Sequence, residues 1–374
     1  MNSLYIAIDP GFDSLKVIAN GIAFKFPFNV VETDERKMSD YALRNDFLLY
    51  KSPLGTTYRV GQYAREMLFE NKNSSEEGMQ DFYTEQRFIS DSFSVGLNVA
   101  IALSIIKAGL YLQQDTLDIH LIVALPHACR NQFASTIIGK ASGLHEFNLR
   151  CGTHAEQSFS FSISSEHIKT VSQTIAAILG ETSDEYGNID AEKAHYLTEG
   201  PTLVLDGGYY TFGMVVVSRG GSVDDTLTES DTTHAMKNVN LKITSAIASV
   251  RPDIKHYAIE YLLSKEDGKL RYMKDGHAEV LSLPELRTEK QREVCADFIQ
   301  YLNQKYNNLL DVKYVLVTGG TGACYYHQML QYYTQAGIMD KSHFLLTTSS
   351  LREKTFSIEF SIAIGAYKGL KGTT

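Results

Sequence analysis

The sequence has few cysteines, and none of them is spaced for chemistry. Cys129, Cys151, Cys295 and Cys324 form no CxxC pair and no metal-ligand pattern, so they read as reduced thiols of a cytosolic protein. A targeting segment is missing too. The N-terminal apolar run is short and lacks a basic flank, which argues against a signal peptide. The most apolar helical stretch, Val95 to Leu112, is interrupted by Asn98, Ser104 and Lys107, so a membrane span is not expected. Positive charge is also in deficit: a net charge of −9 argues against binding nucleic acid through a broad basic surface. The 11 histidines include no HExxH or other ligand spacing and, like the 22 tyrosines, read as ordinary core or surface residues. The expectation is a soluble, cytoplasmic protein without direct nucleic-acid or membrane contact.

A chain of 374 residues is long enough for two domains, each with its own core, and 44% hydrophobic with 21% charged residues is the balance of a globular protein. The most informative feature is a short unit that occurs twice. Leu4–Ile8 runs into Asp9-Pro10-Gly11-Phe12-Asp13-Ser14, and Thr202–Leu205 runs into Asp206-Gly207-Gly208-Tyr209-Tyr210-Thr211. Each is a buried-strand pattern ending at an aspartate, then a glycine-containing turn, then a second apolar strand (Leu15–Ala19 and Phe212–Val217). A glycine turn lets backbone N–H groups approach an anion, and an aspartate beside a phosphate is useful when a divalent cation lies between them. Two such units suggest two hairpins that clamp one polyphosphate.

Along the first half, strands are predicted over 4–8, 15–19 and 22–28, and again within 47–60, with a helix over 61–69 and a polar surface loop over 70–81. A helix over 92–113, a strand over 119–125 and strand-like character over 159–171 make this half α/β. Residues 174–179 read as helix and 181–200 as an exposed acidic loop. The second half adds strands at 202–205 and 212–217, a polar segment at 224–233, and helices over 234–250, 256–263 and 284–306. A strand at 314–317 ends in Thr318-Gly319-Gly320-Thr321-Gly322, with a helix near Tyr325, and 357–368 reads as a final helix. Each half thus opens on a strand–Asp–Gly–strand unit and adds helices, an internal duplication of architecture.

The ordered trio Asp9-Pro-Gly-Phe-Asp-Ser-Leu-Lys16, Asp206-Gly-Gly-Tyr-Tyr-Thr211 and Val315-Leu-Val-Thr-Gly-Gly-Thr-Gly322 resembles the phosphate-1, phosphate-2 and adenosine motifs of the actin/Hsp70/sugar-kinase superfamily. Residues 169–178 and 360–368 look like its two interdomain connections. Tyr58-Arg-Val-Gly-Gln-Tyr-Ala64 and the 232–240 segment are most similar to bacterial actin-like proteins of the ParM/Alp plasmid-segregation type. The resemblance implies an α/β, actin-like (ribonuclease H-like, duplicated) two-domain fold with nucleotide in the interdomain cleft. Domain I would span 1–172 with 355–374 packing back onto it, and domain II 173–354. One departure is Gly213, where the second phosphate motif often carries a carboxylate.

The same resemblance implies roles for individual residues. Asp9 and Asp206 would hold Mg²⁺ through its water shell, the alternative being turn aspartates that cap their own loops. Lys16 would reach the β- or γ-phosphate as a point charge, or else be a solvated strand residue. Gly11, Gly207 and Gly208 would offer backbone donors, with hydroxyls from Ser14 and Thr211. Gln173 would orient the attacking water, with Glu166 as a competitor and a helix cap as the plain alternative. Gly319, Gly320, Thr321 and Gly322 would seat adenosine and α-phosphate at a helix N-terminus, with Lys237 and Asn238 bordering the base.

Function is then expected to be that of an ATP hydrolase that polymerises head to tail with ATP and Mg²⁺, GTP being an alternative nucleotide. Its partners would be further copies of itself and a DNA-binding adaptor on a plasmid, with hydrolysis triggering disassembly. Termination at Thr374 leaves no Hsp70-like substrate domain in this chain. The alternative, a small-molecule (sugar-type) kinase, needs a general base, for which Asp91, Asp115 and Asp118 are available.

Overall fold

A computed structural model describes residues 2–34, 45–70, 85–265 and 268–373; of the loop expected over 70–81, Glu70 instead ends a helix and 71–81 lie outside the described residues. The chain divides into two compact units, Met1–Lys193 with Thr348–Thr374, and Ala194–Thr347.

The first unit begins with the antiparallel meander β1 (Ser3–Pro10), β2 (Ser14–Ala19) and β3 (Ile22–Pro27). It continues through β4 (Val30–Thr33), β5 (Leu48–Lys51), β6 (Thr57–Val60), α1 (Gln62–Glu70) and α2 (Asp91–Lys107). Then come β7 (Asp118–Leu125), α3 (His127–Ala141), β8 (Gly143–Cys151), β9 (Gln157–Ile163), β10 (Ile168–Ser172) and α4 (Gln173–Thr182). The main sheet has the order β10-β7-β1-β2-β3, with β7 parallel to both β1 and β10, and a second sheet has the order β4-β6-β5-β8-β9.

Helix α2 is apolar on most of its circumference because it lies in the core that both sheets of this unit share. Ser90 Oγ caps it by accepting from Phe93 N at 3.1 Å. It ends at Lys107 rather than at the expected residue 113. Gly109, at φ +72°, and Leu110 turn back onto the carbonyls of Ile106 and Ile105, which closes the last turn.

The second unit contains β11 (Thr202–Gly207), β12 (Phe212–Val217), β13 (Val223–Asp231), α5 (Met236–Ile247), α6 (Ile259–Leu263), β14 (Lys269–Lys274) and β15 (His277–Ser282). It goes on through α7 (Leu283–Lys305), β16 (Tyr314–Thr318), α8 (Gly319–Gln335) and β17 (Phe344–Leu346). Its sheet order, β13-β12-β11-β16-β17, repeats that of the first unit, β3-β2-β1-β7-β10. In both, the Asp-bearing strand is antiparallel to the strand after its turn and parallel to the next along the sheet. The polar segment at 224–233 is mostly the edge strand β13, whose position in the sheet tolerates exposed side chains. Asp275 and Gly276, both at positive φ, make the β14–β15 turn; that Asp-Gly pair is a hairpin signal legible in the sequence but unused above.

The chain then returns to the first unit as α9 (Ser361–Lys371). The first unit runs past residue 172 because α4 packs tightly on α9. A Cβ on Gly365 would lie 1.7 Å from the Ala176 carbonyl oxygen, and one on Gly180 would lie 3.3 Å from Gly365 Cα. The segment expected over 181–200 as an exposed acidic loop is not wholly exposed: Glu181, in the last turn of α4, is buried and accepts from Lys193 Nζ at 2.8 Å and from Thr348 N at 2.8 Å.

Gly365→Ala is expected to destabilise the protein by about 1–3 kcal/mol, since backbone rather than a flexible side chain stands in the way. Gly139→Ala, in α3 with nothing within 4 Å of the added carbon, should be neutral or stabilising by up to about 1 kcal/mol. Thermal unfolding of the two variants checks the contrast, and equal midpoints would refute the close helix crossing.

Candidate functional site

In the first unit, β1 delivers Asp9 to the strand tip with 2% exposure. A carboxylate this deep must be paired, and both its oxygens are. Lys16 Nζ donates to Oδ2 at 3.2 Å, and Gln173 Nε2 donates to Oδ1 at 2.8 Å. The antiparallel register sets Lys16 directly opposite Asp9. Gln173 is 164 residues away in sequence and arrives as the first residue of α4, after β10 has run parallel to β7. Burial opposes the charge on Lys16, but the attraction of Asp9 and its hydrogen bond outweigh it, so the ammonium holds its proton more tightly than a free lysine. A Cβ on Gly11 would lie 2.6 Å from Lys16 Nζ and 3.0 Å from the Ser14 carbonyl oxygen, so a side chain there would have to shift the ammonium. Ser14 is buried at the start of β2.

Two arginines that the sequence reading did not pick out fix this loop from beneath and beside. Arg65 donates to the Asp13 carbonyl at 2.6 Å and to Asp13 Oδ1 at 2.8 Å. Arg87 is 1% exposed, donates to the Pro10 carbonyl at 2.6 Å and stacks 3.8 Å from the centre of the Phe12 ring. Burial lowers its pKa to about 10, against the pull of Asp9. Three cationic groups thus gather around residues 9–14, of which Lys16 is paired with Asp9 and Arg65 with Asp13, while the buried Arg87 lies beneath the turn. No local pattern marks either arginine, because each meets the loop only through the fold. Glu166, the competitor of Gln173, is elsewhere: it lies before β10, at the end of that strand opposite to Gln173.

In the second unit, Asp206 ends β11 at 9% exposure, facing Gly213 in the β11–β12 register and Thr318 in the β11–β16 register. Gly213 thus holds the place that Lys16 holds in the first hairpin. The turn closes through Gly208 N donating to the Thr211 carbonyl at 2.9 Å. Helix α8 begins at Gly319, not near Tyr325, so Gly319, Gly320, Thr321 and Gly322 form its first turn. It is seated hard on the hairpin. A Cβ on Gly207 would lie 2.2 Å from Gly322 N, and one on Gly319, at φ +77°, would lie 2.8 Å from Asp206 Oδ1. Thr321 Oγ1 donates to the Gly208 carbonyl at 2.6 Å, whereas nothing lies within 4 Å of the Cβ position of Gly320. The arrangement sets the positive end of a helix dipole beside an aspartate-tipped glycine turn.

Helix α5 also docks on this turn, with Lys237 N donating to the Tyr209 carbonyl at 2.7 Å and Lys237 Nζ lying 4.2 Å from the centre of the Tyr210 ring. Asn238 is tied to the Thr232 carbonyl. The segment leading into α5 is held by Asp231, another residue the sequence reading left unassigned. Its carboxylate accepts from Thr233 N at 3.0 Å, Thr233 Oγ1 at 2.6 Å, His234 N at 2.9 Å and His234 Nδ1 at 2.8 Å. Burial alone would raise its pKa, but the donors from His234 and Thr233 prevail and hold it below the usual carboxylate range. The buried thiols offer no competing nucleophile: burial pushes Cys129 and Cys295 to about 12.

No protein-family model and no curated protein sequence matches this chain. Solved structures do, at low identity and over nearly full length. A 15-stranded ParM filament from Clostridium botulinum matches with a TM-score of 0.70 and 16% identity, covering 99% of each chain. The actin-like protein Alp7A matches with a TM-score of 0.68 and 13% identity, covering 99% of this chain and 97% of its own. Bacillus thuringiensis ParM with ATP matches with a TM-score of 0.59 and 12% identity, covering 98% of each chain. The fold is therefore the two-domain actin-like fold, in the form found in the ParM and Alp proteins.

Asp231→Asn is expected to cost about 1–3 kcal/mol at pH 7, since charge-assisted bonds are weakened at a buried site. A depressed folded pKa stabilises above the unfolded value of about 4 and loses that contribution as pH falls through the folded value. The gap between variant and parent in urea should therefore shrink on going from pH 7 to about pH 3. An equal gap at both would refute an ionised, stabilising Asp231.

Proposed function

We propose that this protein is an actin-like ATPase that assembles into head-to-tail filaments with ATP and Mg²⁺. The observation that carries the reading is the repeated strand–Asp–Gly–strand hairpin on a repeated sheet topology. One copy pairs its aspartate with Lys16 and Gln173, and the other is seated on the glycine-opened helix α8. The similarity in fold to a ParM filament and to a ParM with ATP supports the same reading.

In this scheme the first unit contributes Asp9, Gly11, Ser14, Lys16 and Gln173, and the second contributes Asp206, Gly207, Gly208, Thr211, Lys237 and the first turn of α8. Backbone N–H groups of the glycine turns and the charge of Lys16 bind the β- and γ-phosphates, and Gly319–Gly322 carry the adenosine end. Mg²⁺, when bound, supplies neutralisation of phosphate charge, and Asp9 and Asp206 fit as its holders through water because both are strand-tip carboxylates beside glycine turns. Gln173 orients the attacking water rather than taking its proton, since an amide is no base. Its bond to Asp9 keeps that amide in place.

Nucleotide binding favours an assembly-competent form, a contact between unlike faces propagates it into a filament, and hydrolysis withdraws that advantage. We further propose cytoplasmic plasmid segregation through a DNA-binding adaptor, for which the net charge of −9 leaves the DNA contact to the partner. The kinase alternative finds little support in Asp118, whose two carboxylate oxygens are engaged by His120 and His167.

Sedimentation with and without ATP–Mg²⁺, run beside phosphate release, tests the proposal. The parent protein should pellet only with nucleotide, and Asp206→Ala should neither pellet nor hydrolyse. Gln173→Ala should still pellet while phosphate release slows roughly 10–100-fold. Turnover that depends on a small acceptor alcohol, without polymer, would overturn the filament reading in favour of a kinase.

A further inference from the structure

Three side chains converge on the first unit's main sheet at the end of β1 remote from Asp9. Asp118 and His120 are two residues apart on β7 and therefore project from one face. The parallel register of β10, with Ile168 opposite Leu121, brings the preceding His167 beside His120. His120 Nε2 lies 2.9 Å from Asp118 Oδ2, and His167 Nδ1 lies 3.0 Å from Asp118 Oδ1. The imidazole rings stack with centroids 4.2 Å apart. Each residue offers one ligand atom, and the three atoms lie within 4.8 Å of one another. Asp118 pairs with Ser3 in the β1–β7 register, six residues before Asp9, so the cluster is roughly 20 Å from the strand tip.

The cluster is held in place but open to solvent. Tyr5 stacks on His120 with centroids 4.8 Å apart, Lys371 Nζ lies 3.4 Å from the centre of the Tyr5 ring, and Ser3 Oγ donates to Asp118 Oδ2 at 3.3 Å. Side-chain exposures of 27% for Asp118, 12% for His120 and 33% for His167 leave a path for an ion. The outer nitrogen of His167 has the exposed Glu166 carboxylate 4.0 Å away, beyond hydrogen-bond distance.

We propose that Asp118, His120 and His167 form a binding site for a zinc-type divalent transition-metal ion, separate from the nucleotide residues. Two imidazoles and one carboxylate suit zinc and its neighbours, whereas Mg²⁺ and Ca²⁺ prefer all-oxygen shells. Three protein ligands leave further coordination positions to water or to a group from another molecule. The ion takes over bonds that Asp118 and the imidazoles otherwise make to one another.

The test is calorimetric titration of Zn²⁺ into untagged, chelator-stripped, full-length protein without nucleotide, with Co²⁺ absorption as the spectroscopic readout. One equivalent should bind with micromolar affinity or better, and Co²⁺ should give the visible bands of a low-coordinate site. His167→Gln and Asp118→Asn should each weaken binding roughly tenfold or more and abolish those bands while circular dichroism stays unchanged. Cys324→Ala, which removes the exposed thiol, should leave binding as it was. Binding no tighter than millimolar, or a Zn²⁺ affinity and Co²⁺ spectrum unchanged in His167→Gln and Asp118→Asn, would overturn the proposal and leave a carboxylate that merely holds two imidazoles.

Discussion

A carboxylate buried at the tip of β1 sets the terms for the first unit. Asp9 is out of water, so each of its oxygens needs a donor, and breaking such a buried pair typically costs about 3–5 kcal/mol. Lys16 and Gln173 meet that need. Meeting it constrains much else: the hairpin register is fixed, a side chain at position 11 would press on the Lys16 ammonium, and β10 must end where α4 can present an amide to Asp9. The glycine contact between α4 and α9 then holds the start of α4 in place. A hydrogen bond at the site and a helix crossing deeper in the same unit are thereby parts of one constraint.

The second unit repeats the topology with different chemistry. Where the first hairpin answers its aspartate with a lysine across the ladder, the second answers with Gly213 and with the opening turn of a helix. Steric fit replaces charge pairing there: a Cβ on Gly207 or on Gly319 would run into backbone of the facing segment, so glycine lets the two backbones meet. The first hairpin accordingly sets Lys16, Arg65 and Arg87 against Asp9 and Asp13. The second offers oriented backbone dipoles, with Lys237 at its flank. Duplication of a scaffold followed by divergence of its strand tips gives one fold two hairpins of unlike chemistry.

The main sheet of the first unit has chemistry at both ends. Its Asp9 end gathers a carboxylate, an ammonium and an amide, and its other end gathers a carboxylate and two imidazoles. Both clusters arise from the same register of β1, β7 and β10. The histidines looked ordinary in the sequence because His120 and His167 belong to no spacing pattern; they are neighbours only across two parallel strands.

The features legible in the sequence were those encoded locally. The strand pattern before each aspartate, the glycine turns and the third glycine run each occupy a dozen residues or fewer, and there side-chain periodicity and turn chemistry decide conformation. That, with the family resemblance these motifs carry, was enough for the fold class. It was not enough for partners brought together by parallel pairing, whose register is set by the packing of the whole sheet. The contact of Gln173 with Asp9, the seating of Arg87 under Pro10, the four donors to Asp231 and the meeting of Asp118 with two histidines were decided only by the tertiary structure. A chain can specify a turn within itself, but a buried charge finds its partner only when distant segments close around it.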